Sequence, residues 1–100
     1  MMLLVELHAR RDCCEQLEME LARLAEVAAS EAGVLVYAVN RVEQAPMHFV
    51  LYELYRSRAD WETHLALPAV KQALARFPEL LEVEPRLVFG AALQRVGQGT

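Results

Sequence analysis

The chain is short of the residues that build specialised sites. It has four glycines, two of them (Gly97 and Gly99) in the last four positions, so no glycine-rich loop is present to cradle a phosphate. Its two cysteines, Cys13 and Cys14, are adjacent, which makes a poor structural staple and points to a reducing, cytoplasmic setting. Basic charge is sparse: Arg10 and Arg11 form the one basic pair and no lysine run exists. With a net charge of -4 and a pI near 5.3, nucleic acid is not an expected partner. No apolar run approaches the ~20 residues that span a bilayer. The N-terminus passes from Met1–Leu4 into Glu6 and His8 without a basic n-region or small-residue cleavage site, so neither a membrane span nor a signal peptide is expected. Low charge (24%) excludes disorder.

Apolar side chains are abundant instead. They make up 55% of 100 residues, against a usual share of roughly 45–50%. One domain is expected over residues 1–96 with a tail over 97–100, and the apolar excess suggests surface shared with another subunit. Met2–Arg10 reads as a strand with Leu3, Val5, Leu7 and Ala9 on one face. Asp12 with Glu15 has capping-box spacing, and Leu17, Leu21, Leu24 and Ala28 make the apolar stripe of the helix that follows, with Gly33 just past its end. Val34–Val42 and His48–Arg56 read as strands with apolar residues on both parities, joined by the polar turn Glu43–Pro46. Ser57 and Asp60 cap a short helix carrying Trp61, His64 and Leu65. Pro68 opens another helix with Val70, Leu74 and Phe77 inward, which Pro78 is expected to end. Glu84–Arg95 reads as a last strand.

The order β-α-β-β-α-β is the split βαβ plan of the α+β class: a four-stranded antiparallel sheet with helices on one face. The other face is left bare although its residues are apolar. A second copy of the same sheet is the simplest cover, so a homodimer formed sheet to sheet is expected.

Three runs carry a family resemblance: EAGVLVYAVNR (Glu31–Arg41), HFVLYELYRS (His48–Ser57) and WETHLALPAV (Trp61–Val70). They resemble the antibiotic biosynthesis monooxygenase (ABM) domain at Glu31, Gly33 and Tyr37, then at Phe49, Val50, Leu51, Tyr52, Glu53 and Ser57, then at His64, Leu65 and Pro68. The resemblance spans about Met2–Leu93. It implies a ferredoxin-like βαββαβ fold that dimerises through its sheets into an α+β barrel. It also implies oxygenation of electron-rich aromatics such as quinols or anthrones without metal or flavin, so no cofactor is expected. The chain departs from the pattern at Tyr55, where the family usually has tryptophan, and at Pro68–Ala69–Val70, which lacks a second histidine. Leu7 and Leu74 stand where the haem-degrading branch has asparagine and the iron-binding histidine, so haem chemistry is not expected.

His64 is the candidate base, since the ordinary range of an imidazole suits it to taking a phenolic proton; the alternative is a helix-end histidine capping carbonyls or packing on Trp61. Glu53, inside an apolar strand, either supports His64 and a substrate hydroxyl or pairs with Arg86 or Arg41. Tyr37, Tyr52, Tyr55 and Trp61 line an aromatic pocket or are plain core, and Asn40 stands at a possible cavity mouth. His8 and His48 lack a carboxylate or cysteine at recognisable ligand spacing, so no metal site is expected. Cys14 reads as a small core residue one turn before Leu17. The first functional reading is oxidation of a quinol or related phenolic by O₂. The alternatives are an isomerase or non-catalytic small-molecule binder of the same fold, and a purely structural dimer.

Overall fold

The computed structural model describes residues 1–96, and the tail expected over 97–100 lies outside the described residues. The chain runs β1 (Met2–His8), α1 (Cys14–Ala29), β2 (Val34–Arg41), β3 (His48–Tyr55), α2 (Arg58–Ala66), α3 (Pro68–Leu80) and β4 (Arg86–Gly90). The strands form one antiparallel sheet in the order β2-β3-β1-β4. This is the ferredoxin-like α+β arrangement, with the consecutive pair α2 and α3 standing where the plan has its second helix.

Strand alternation assigns each residue to a face. Leu3, Val5 and Leu7 of β1 are buried beside Phe49 and Leu51 of β3, with Val5 opposite Leu51 and Leu7 opposite Phe49. Leu17, Leu21 and Leu24 of α1 close over them, as do Val70, Ala73, Phe77 and Leu80 of α3. The stripe legible in the sequence is thus the packed face of α1, and burial at roughly 25 cal/mol per Å² holds helix to sheet. Buried Glu20 ties α1 to α3 through Arg76, 3.2 Å away. Residues of the opposite parity, among them Leu4, Ala38, Val50, Tyr52 and Val88, remain half-buried on the face without helices.

Local details correct the sequence reading. Asp12 does not cap α1: the helix starts one residue later than that role requires, with Cys13 at the N-cap and no side-chain cap bond. Ser30, not a glycine, is the C-cap, and Gly33 lies in the turn beyond it. Pro78 does not end α3, which continues to Leu80. A proline this close to the C-terminus removes one N–H from the ladder, and the Leu81 N–H still reaches the Phe77 carbonyl at 2.8 Å. Leu74, expected inward, is 40% exposed, while Ala73 takes the buried position. The last strand is Arg86–Gly90 rather than Glu84–Arg95: β1 runs out beyond Met2, the partner of Gly90, and at the other end Pro85 has no N–H to extend the ladder. None of the helices among the described residues is long and apolar enough to cross a membrane.

Candidate active site

The start of α2 is clamped to the turn before β2. Ser57 takes an extended backbone (φ -156, ψ 167), its Oγ accepts the Asp60 N–H at 3.2 Å, and its hydroxyl donates to the Asp60 carboxylate at 2.7 Å. Arg56 donates to both oxygens of that carboxylate at 2.9 and 3.0 Å, which with Ser57 holds Asp60 below the usual carboxylate range. The Asp60 carboxyl packs directly on Gly33, where any Cβ would overlap it, and the Arg56 N–H donates to the Gly33 carbonyl at 2.9 Å. Glycine is needed there for close approach. Leu67, extended (φ -65, ψ 135) ahead of Pro68, stops α2 just past His64.

This clamp brings His64 of α2 to Glu31 of the turn. His64 is 3% exposed, and its Nδ1 lies 2.5 Å from Glu31 Oε2. A carboxylate on Nδ1 fixes the ring's orientation and favours the tautomer that leaves Nε2 as the proton acceptor. The pair joins residues 33 positions apart. The rings of Tyr37 and Tyr55 lie 5.9 and 5.7 Å from the His64 ring.

Glu53 of β3 faces the helices directly opposite Tyr37 of β2, and is 5% exposed. Its Oε1 accepts the Tyr55 hydroxyl at 2.5 Å. Burial pushes the Glu53 carboxyl above its usual range, opposed by the Tyr55 hydrogen bond and by the field of His64. Burial first, then the neighbouring carboxylates, pushes the Tyr37 and Tyr55 phenols well above theirs, so both stay protonated donors. Glu53 takes neither expected arginine: Arg86 pairs with Glu6 at 2.8 Å and Arg41 with Glu18 at 3.4 Å.

These groups border a cavity of about 830 Å³ between the sheet and the helical layer. Tyr37, Glu53, Trp61 and His64 line it among apolar side chains such as Leu51, Val70 and Phe77. Leu74 and Leu87, respectively 40% and 47% exposed, stand where it opens to solvent. Trp61 meets Phe89 edge-on at 5.2 Å and ties α2 to β4.

The structure therefore brings together five of the residues singled out in the sequence: His64, Glu53, Tyr37 and Trp61 on the cavity, with Tyr55 behind Glu53. It leaves two elsewhere. Tyr52 has the parity of the helix-free face, opposite Leu4 and Ala38. Asn40 is exposed on that same face, where its amide donates to the Val50 carbonyl at 3.3 Å. Glu31 was not assigned a role by sequence reasoning. The one signal was its place beside Gly33 and Tyr37 in a single motif, because nothing local links it to His64.

Fold and cavity define a ferredoxin-like α+β domain with a buried histidine, backed by a carboxylate, on a space large enough for a small organic molecule. The chain belongs to the antibiotic biosynthesis monooxygenase family, whose model matches residues 1–76. It is similar to a Deinococcus radiodurans protein assigned to the same family, at 26% identity over 96% of this chain and 98% of that one (TM-score 0.79). PA3566 from Pseudomonas aeruginosa is 26% identical over 91% and 93% of the two chains (TM-score 0.78). Rv0793 from Mycobacterium tuberculosis, 23% identical over 96% and 97%, shares the fold with a TM-score of 0.89. No curated protein matches the chain.

Proposed function

We propose that the protein is a cofactor-independent monooxygenase that oxidises a quinol or related phenolic molecule with O₂. The observation that carries this reading is His64 on the wall of an apolar cavity with Glu31 held against its Nδ1. His64, held by Glu31, takes the phenolic proton. The resulting electron-rich anion itself reduces O₂: the substrate supplies all four electrons and ends at the quinone level, one oxygen atom enters it, and the other leaves as water with two hydrogens the substrate has lost. Glu53, which burial favours in its protonated form, and the Tyr37 hydroxyl supply donors beside the forming charge.

An acid and a base on one cavity also suit an isomerase of an enolisable small molecule, and Glu53 beside His64 is the feature that favours this second reading. Oxygen uptake decides between them. With a panel of quinols and anthrones, the native chain consumes O₂ in a substrate-dependent way, and His64→Ala reduces the rate by about 10²–10⁴-fold. Absence of uptake, or uptake unaffected by the substitution, rejects the oxygenase.

The working form in this reading is a homodimer joined through the helix-free sheet face. The half-buried Leu4, Val50 and Tyr52 on that face support it. Cys13 and Cys14, both free thiols, suit a cytoplasmic location.

A further inference from the structure

On the helix-free face, away from the cavity, the β1–β3 register sets His8 directly opposite His48, with Glu6 two residues along β1 on the same side. The two imidazoles stack with centroids 4.2 Å apart and planes 18° from parallel. Glu6 Oε1 lies 3.4 Å from His48 Nε2, and one donor atom from each of the three side chains falls within 4.8 Å of the others. His48 Nε2 is buried and has no aligned hydrogen-bond partner, an arrangement that is unfavourable unless something satisfies the nitrogen. Arg86 donates to the other Glu6 oxygen at 2.8 Å and so fixes the carboxylate with Oε1 turned toward the histidines.

We propose that Glu6, His8 and His48 form a cross-strand binding site for a borderline divalent transition-metal ion of the Zn²⁺ class. Two imidazoles and one carboxylate suit this class and not the hard cations, which want six or more oxygens. A tetrahedral Zn²⁺ with ligands at about 2.0–2.1 Å needs donors about 3.4 Å apart. Glu6 Oε1 and His48 Nε2 already stand at that separation, and His8, at the end of β1 and exposed in the single chain, is brought in by rotating about its side-chain torsions. Such an ion satisfies His48 Nε2, and Arg86 acts as the outer hydrogen bond that orients a ligating carboxylate. Three protein ligands leave a fourth position for water. No local spacing announced the site, because its third ligand arrives from another strand 40 residues later in the chain (His8 to His48).

The test is calorimetric titration of untagged, chelator-stripped protein with Zn²⁺, with Co²⁺ as an optical probe. The expected result is saturable binding of one ion per chain, a Co²⁺ spectrum free of thiolate charge transfer, and affinity lowered about tenfold or more in each of His8→Ala, His48→Ala and Glu6→Gln. Cys13→Ser with Cys14→Ser leaves the affinity unchanged. Far-UV circular dichroism of the metal-free variants checks that they fold. The proposal is overturned by a lack of saturable binding, by unchanged affinity in folded His8→Ala and His48→Ala, or by a thiolate signature in the native Co²⁺ spectrum. None of these readouts depends on the proposed oxygenase activity.

Discussion

The chemistry of the cavity rests on two carboxylates in unlike surroundings. Glu31 meets His64 at Nδ1 and holds the ring in place, so its loss leaves the imidazole free to rotate and to take the other tautomer. Under the proposed reading, Glu31→Gln lowers kcat for oxygen uptake by about 10²-fold while KM moves little, a split visible in steady-state kinetics. Glu53 is the opposite case. Its folded-state carboxyl is raised from an ordinary value of 4.5, chiefly by burial. The protonated form therefore contributes stability fully below that value, and the contribution is lost as pH rises through the raised folded-state value. Glu53→Gln cannot ionise and keeps an acceptor for the Tyr55 hydroxyl. Its melting temperature, relative to the native chain, should climb as pH rises from 4.5 toward neutrality, because only the native carboxyl must ionise while buried. A difference that stays flat across that range contradicts the assignment.

At the level of elements, α2 is a short helix whose position depends on its first turn. Ser57, Asp60 and Arg56 form the cap, and the cap rests on Gly33. A methyl group there meets the Asp60 carboxyl at overlapping distance and pushes the start of α2 off the turn that carries Glu31. Gly33→Ala should destabilise the fold by about 1–3 kcal/mol, the range for forcing extra volume into a packed site. Chemical denaturation measures this, and weakened ligand binding in the cavity should accompany it. Helix caps and stripes of this kind were legible in the sequence at Ser57, Asp60, Leu17 and Leu21, since they depend on neighbours one turn apart. The bounds of β4 and the fate of Pro78 were not. A strand lasts only as long as its partner, and a proline near a helix end is tolerated when the surrounding packing holds the last turn.

For the molecule as a whole, the helices cover one face of the sheet and leave Leu4, Ala38, Val50 and Tyr52 on the other. If this face joins two copies, a charge at its centre prevents association. Tyr52→Glu, opposite both Leu4 and Ala38, should sediment as a single subunit at micromolar concentration while the native chain sediments as a dimer, with far-UV circular dichroism unchanged. A native chain that sediments alone removes the dimer.

Composition and periodicity by themselves determined the α+β class, the order of strands and helices, and the packed faces of α1 and β1, while the candidacy of His64 and Glu53 came from the motifs that contain them. These are properties of side-chain alternation and helical spacing, which act over a few residues. Only the tertiary structure decided that Glu31, not Glu53, holds the imidazole, that Tyr37 faces the cavity while Tyr52 faces away, and that Glu6, His8 and His48 meet across two strands. Each depends on strand register or on the docking of α2 against the turn at Gly33. Such placements are settled by the balance of packing across the whole domain, and a shift of one residue in register would have turned every side chain of a strand to the other face.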